Sequence, residues 1–109
     1  MELECGGSRP RTTATAAGIR QAFADDAGRG EFIILFAAEE IFIQAAGEGD
    51  GPYALEYREG GRGQHCQCRR DVKKAEVETA FLKYLAGDPS WKDPFPWQPL
   101  EDKPWWKFW

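Results

Sequence analysis

Several residue types are scarce in this chain, and each scarcity removes a class of chemistry. There is one histidine, His65, so neither a histidine-rich metal centre nor a set of imidazole bases is available. Serine occurs only as Ser8 and Ser90. Neither stands in a Gly-x-Ser-x-Gly turn, which leaves a serine nucleophile without its usual setting. Three cysteines, Cys5, Cys66 and Cys68, cannot all pair within one chain. Thiols kept reduced in the cytosol are therefore expected, and disulfides are not what holds the fold together. No apolar run approaches the roughly 20 residues that a membrane helix needs. The longest, Phe32 to Ala38, is only strand-sized. The N-terminus Met-Glu-Leu-Glu-Cys-Gly-Gly-Ser has no basic region followed by an apolar one. A secretory signal is not expected, Met1 reads as an unprocessed start, and the expected location is cytoplasmic. An excess of basic charge is missing too, since the net charge is -4. Phosphate binding would lack its ordinary electrostatic drive, so nucleic acid is not an expected partner.

What is present suits one folded domain. A chain of 109 residues and 12.3 kDa has room for one core. Its 42% apolar and 29% charged residues, with a mean hydropathy of -0.59, lie within the range of folded soluble chains. Charge is unevenly spread: residues 31–60 hold one basic and seven acidic groups, while residues 61–87 hold six basic and three acidic. One part of the surface would then repel phosphate while another attracts it. The five tryptophans all fall between Trp91 and Trp109.

The chain divides into a flexible arm at 1–13, a single α+β domain at 14–100 and an aromatic C-terminal tail at 101–109. The arm mixes Gly, Ser, Pro and Arg with little apolar content. Ala16, Ile19 and Phe23 recur at helical spacing, with Thr13 or Thr15 as cap and Gly28 or Gly30 as terminator. From Glu31 the period becomes strand-like. Glu31 to Ala37 is apolar after its first residue, as expected of a strand covered on both faces or starting in the sheet interior. A tight connection at Ala38-Glu39-Glu40 leads to a second strand, Ile41 to Ala46. Beyond the Gly-rich turn at 47–52, Tyr53 to Arg58 alternates, with Tyr53, Leu55 and Tyr57 on one face. Gln64 to Arg70 is the weakest strand signal and is assigned to an edge. Asp71 is the expected N-cap of a helix from Val72 to Ala86, with Val77, Phe81, Tyr84 and Leu85 as its apolar stripe. The predicted fold is α+β: a four-stranded antiparallel meander with an N-terminal and a C-terminal helix packed on one face, followed by a Trp/Pro-rich extended tail.

The constellations suited to chemistry are incomplete. His65-Cys66-Gln67-Cys68 is the single cluster of soft ligands. In a strand Cys66 and Cys68 share a face while His65 points the other way, so three ligands do not converge as zinc requires. The same geometry parts Cys66 from the base that an activated thiol needs. Acidic pairs such as Asp25-Asp26 and Glu39-Glu40 fall in turns or helix ends, where a carboxyl stays solvated. An enzyme is not expected, and no cofactor or metal is assigned. What remains is a binding surface. Trp91 and Trp97, close behind the second helix, are expected to close the core. Trp105, Trp106 and Trp109 lie in a stretch whose successive positions would face opposite ways, and exposed tryptophan is a common protein-binding anchor.

The strings Phe42-Ile43-Gln44, Leu55-Glu56-Tyr57, Ala80-Phe81-x-x-Tyr84-Leu85, Gly87-Asp88-x-x-Trp91 and Phe95-x-Trp97 resemble a small, largely uncharacterised family of bacterial proteins. The likeness covers Glu31 to Leu100, and no motif in it is catalytic. The chain is more loosely similar to immunity proteins of bacterial toxin systems, which are small, acidic, cytoplasmic and α+β. That likeness implies a non-enzymatic inhibitor that binds a cognate toxin domain. Glu48, Asp50, Glu56, Trp105, Trp106 and Trp109 are the candidate partner-binding residues. Two alternatives are a thiol or metal protein built on His65, Cys66 and Cys68, and an obligate homo-oligomer assembled through the aromatic tail.

Overall fold

The computed structural model of this chain describes residues 1–6, 11–25, 32–60 and 64–99. In chain order the elements are β1 (Glu2–Cys5), β2 (Thr12–Thr13), α1 (Ala16–Asp25), β3 (Phe32–Ala38), β4 (Ile41–Gly47), β5 (Tyr53–Glu59), β6 (His65–Cys68), α2 (Lys74–Leu85), a 3-10 turn over Pro89–Lys92 and β7 (Trp97–Pro99). The strands make one antiparallel sheet in the order β2-β1-β3-β4-β5-β6-β7.

The α+β class agrees with the sequence pattern, but the sheet has seven strands instead of the expected four. Two of the additional strands lie within residues 1–13, taken from composition as an arm. Their own side chains carry too weak a pattern to show it: in β1 only Leu3 is buried, opposite Leu35 of β3. It is the adjacent β3 backbone that offers β1 a ladder. The third, β7, is flanked by Pro96 and ends on Pro99, residues that cannot donate to a ladder and so suit an edge. Because β7 pairs with β6, the strand assigned to an edge is internal.

Alternation sorts the sheet into two faces. Ile33, Leu35, Ile43, Ala45, Leu55 and Tyr57 point to one side, where they form a single core with Ile19 and Phe23 of α1 and Val77 and Phe81 of α2. Both helices thus cover the same face, and Phe23 meets Phe81 edge-on at 5.2 Å between ring centroids where they touch. Burying each such side chain contributes about 1.5–3 kcal/mol.

Local chemistry sets the helix ends. Thr15 Oγ1 accepts from the Gly18 N–H at 2.9 Å, so Thr15 opens α1, while Thr13 belongs to β2. Helix α2 starts later than the sequence suggests because Val72 exchanges two backbone hydrogen bonds with Tyr53, of 2.9 and 3.1 Å. Its N-cap is therefore Lys73 in place of Asp71, and the Glu76 carboxylate accepts the Lys73 N–H at 3.2 Å. The helix closes on Gly87 at φ +76°, a left-handed position that suits glycine. Beyond it Trp91 is buried and meets Tyr57 and Trp97 edge-on at 5.2 and 5.7 Å, closing the core as expected. No helix of the described residues is long and apolar enough to cross a membrane.

Candidate functional site

An antiparallel sheet with helices on one side ordinarily turns polar residues outward on the other. Strand β5 follows that rule, presenting Ala54, Glu56 and Arg58 to the helix-free face. Strand β3 does not. Its continuous apolar run places Phe32, Ile34 and Phe36 on that face, and β4 adds Phe42 directly opposite Phe36, with the rings 5.4 Å apart. Ile34 and Phe36 are only 8% and 7% exposed, yet neither belongs to the main core. They make a second, thin apolar cluster on the side that, among the described residues, α1 and α2 leave uncovered, with Phe42 half-buried beside it.

Pairing across the sheet defines the surroundings. One row runs Glu2, Phe36, Phe42, Arg58 and His65, and the next runs Glu4, Ile34, Gln44, Glu56, Gln67 and Gln98. The face is apolar over β3 and β4 and polar over β5 and β6. Arg11 reaches over the apolar end: its guanidinium carbon is 3.8 Å from the Phe36 ring centroid. Its Nη1 donates to Glu39 at 2.7 Å and its Nε to Glu4 at 3.3 Å. The hydrogen bond from Arg11, reinforced by its charge, holds the Glu39 carboxyl below the usual carboxylate range. Arg58 pairs with Glu40 at 3.0 Å. Towards the polar end Gln44 donates to Glu56 at 3.2 Å. His65 Nε2 lies 3.7 Å from Glu56 Oε1, beyond hydrogen-bond reach, and its ring sits edge-on to Phe42 at 6.1 Å.

The residues singled out from sequence do not form one surface. Glu48 and Asp50 are exposed in the β4–β5 turn, where their backbone carbonyls accept from Gly51 and Lys74. Glu56 is half-buried in the middle of the helix-free face, three residues along the strand from that turn, or about 10 Å. Trp105, Trp106 and Trp109 lie outside the described residues. Cys68 is in the main core and Cys66 packs against it, while His65 is on the opposite face. The structure thus separates the imidazole from the two thiols, and among the described residues no three His, Cys, Asp or Glu side chains converge as a metal site. Arg11, Ile34, Phe36 and Phe42 are the residues that sequence reasoning passed over. For Ile34 and Phe36 the signal was present in the unbroken run of β3, which has an apolar residue where a one-sided strand would carry a polar one; Arg11 and Phe42 join them only through the pairing of the strands.

Such an arrangement is suited to adhesion. Its half-buried members, Phe32 and Phe42, are what a partner can desolvate further, Ile34 and Phe36 being buried already, and five carboxylates, Glu2, Glu4, Glu39, Glu40 and Glu56, outnumber Arg11 and Arg58 around the cluster. Strand addition at an edge is less suited, since β2 and β7 have two and three residues. A separate shallow groove of about 280 Å³ lies between α2 and residues 91–95, lined by Ala75, Thr79, Lys83, Trp91 and Phe95 among others. Comparison with protein-family models, with curated proteins and with solved structures finds no match to this chain.

Proposed function

We propose that this protein is a non-enzymatic protein-binding module whose interface is the helix-free face of the sheet. The observation that carries this reading is the apolar cluster of buried Ile34 and Phe36 with half-buried Phe42, which stands outside the main core on a face that, among the described residues, α1 and α2 do not cover. Interfaces gain most of their energy from a few desolvated apolar or aromatic anchors within a polar rim. Here the rim is acidic, so the fitting partner presents an apolar anchor among basic residues. A toxin domain as that partner rests on the loose resemblance to immunity proteins and on the acidity of the chain.

The test is affinity capture with the full chain, comparing the native protein, Phe42→Glu and Thr79→Glu. Phe42→Glu places a charge at the centre of the face, and Thr79→Glu places one in the groove beside α2. A specific partner should survive Thr79→Glu and bind about tenfold or more weakly to Phe42→Glu, the scale of a lost anchor. Equal capture by both variants would overturn the assignment.

A further inference from the structure

The helix-covered face of the sheet runs past the end of the helix that covers it. Tyr57 and Ile43, paired across β5 and β4, lie in the core beneath the helices. Two residues towards the open end of this hairpin, on the same face, Glu59 stands opposite Ile41. Helix α2 has ended at Leu85, and the chain passes through Gly87, at φ +76°, into the 3-10 turn. Between them lies a shallow cavity of about 300 Å³, lined by Ile41 and Glu59 of the sheet, by Tyr84, Asp88 and Trp91 from the end of α2 and the turn, and by Met1. Met1 and Ile41, 44% and 40% exposed, are the large apolar side chains left exposed among the described residues, and both line this cavity. We propose that it is a binding site for a small organic cation, an alkylated ammonium group carrying apolar carbon.

Charge and aromatic character select this occupant. Glu59 and Asp88 put two carboxylates in the wall, which disfavours an anion. Tyr84 and Trp91, edge-on with centroids 5.3 Å apart, supply the aromatic rings whose faces attract ammonium groups. The cavity adjoins the C-terminal end of the twelve-residue helix α2, where the helix dipole favours positive charge. The chain's own Lys92 displays the preference. Its ammonium stands 4.5 Å from the Tyr57 ring centroid and 5.6 Å from that of Trp91, and it pairs with Glu59. A ligand ammonium in the cavity meets the same carboxylate and the same indole, so Lys92 is its internal competitor. Met1 and Ile41 decide between an organic and an inorganic cation: a hydrated metal ion gains nothing from them, whereas carbon attached to the nitrogen takes their surface out of water. The volume is at the small end of ligand pockets, which points to a small molecule.

The cavity is on the opposite side of the sheet from Phe42 and Glu56, so this site is independent of the binding reading. It is tested by titrating the full chain with choline and, in parallel, with dimethylbutanol, its uncharged carbon isostere, while backbone amide spectra are recorded. Choline should give saturable shifts at Ile41, Glu59 and Gly87, with a Kd of about 1–10 mM for a ligand of its size. Thr79 in the α2 groove and Gln44 on the helix-free face should not move. The neutral isostere should bind about tenfold or more weakly. Glu59→Gln should weaken choline about tenfold, and Lys92→Met, which removes the competing ammonium, should tighten it by about as much. Both replaced side chains lie at the surface, and amide signals away from the cavity should match the native spectrum in each variant. The proposal is overturned if choline gives no saturable shifts in the native protein, if the isostere binds equally well, or if the shifts centre elsewhere. Equal affinity in the native protein and both variants would overturn it too, since the ammonium would then not meet Glu59.

Discussion

The guanidinium of Arg11 stands 3.8 Å from the centre of the Phe36 ring and ties Glu4 of β1 to Glu39 in the β3–β4 turn. One side chain thereby shields an apolar residue on the face opposite α1 and α2 and joins β1 to the β3–β4 hairpin. It gives β1, which has little apolar content, an attachment beyond its ladders to β2 and β3.

Replacing Arg11 tests that attachment and sets a pH dependence. Glu39 has its folded pKa lowered from 4.5, mainly by the hydrogen bond from Arg11. A carboxylate shifted this way stabilises the fold above about pH 4.5, and the contribution is lost as the pH falls through the lowered folded value. Arg11→Ala should therefore lower the melting temperature at pH 7, with the gap from the native protein closing as the pH falls below 4. Arg11→Lys keeps the charge but not the forked geometry and should restore only part of the loss. A gap that stays constant across this range, in melts followed by circular dichroism, would contradict the assignment.

All three tyrosines resist ionisation. Burial is the first cause in each: it raises Tyr53, with Asp50 and Glu48 adding; it raises Tyr57, with the Cys66 thiol adding; and it pushes Tyr84 up to about 12. A raised phenol costs no stability below about pH 10, and stability falls above it because the unfolded chain ionises first. Absorbance at the phenolate band should show no step at the ordinary value near pH 10 and should rise together with alkaline unfolding. A reversible step near pH 10 in the folded protein would show these rings to be solvated.

Phe81 is fully buried and meets Phe23 where α2 crosses α1. Phe81→Ala removes a ring from the contact that holds both helices to the sheet and should cost about 3–5 kcal/mol in urea unfolding. Phe81→Leu fills most of the space and should cost markedly less. Equal effects would mean that the site does not depend on the ring.

Gly47, at the end of β4, has no room for a side chain. A methyl group there would come within 2.6 Å of the Tyr53 ring and 2.8 Å of the Pro52 carbonyl oxygen. Gly47→Ala should destabilise by about 1–3 kcal/mol, the range of an overpacked site. A neutral result in the same unfolding assay would place the turn further from the strand than described.

Much of the architecture was legible because a period reports a buried face whatever lies against it. The alternation of Tyr53, Leu55 and Tyr57 gave β5, the spacing of Val77 and Phe81 gave α2, and the two-residue repeat put Cys66 and Cys68 inward and His65 outward. β1, β2 and β7 have four, two and three residues, too few to display a period. Their strand character comes from the backbone of a neighbour instead of from their own side chains. The same holds for the start of α2, where Val72 reads as helix and is held in a bridge by Tyr53.

The candidate site was less legible than the fold. Glu56 could be seen as an outward acidic residue, but nothing local connects it to Phe42, Ile34 or Arg11. Those residues become one surface only through the register that sets Phe36 opposite Phe42 and Gln44 opposite Glu56, together with the reach of Arg11 across from a separate strand pair. The sequence by itself determined which residues alternate, which turn and which spiral, because those follow from local stereochemistry and from the period of apolar side chains. Only the tertiary structure decided that the helices cover one face and leave an apolar cluster on the other, because that depends on hydrogen-bonded pairing between segments far apart in the chain.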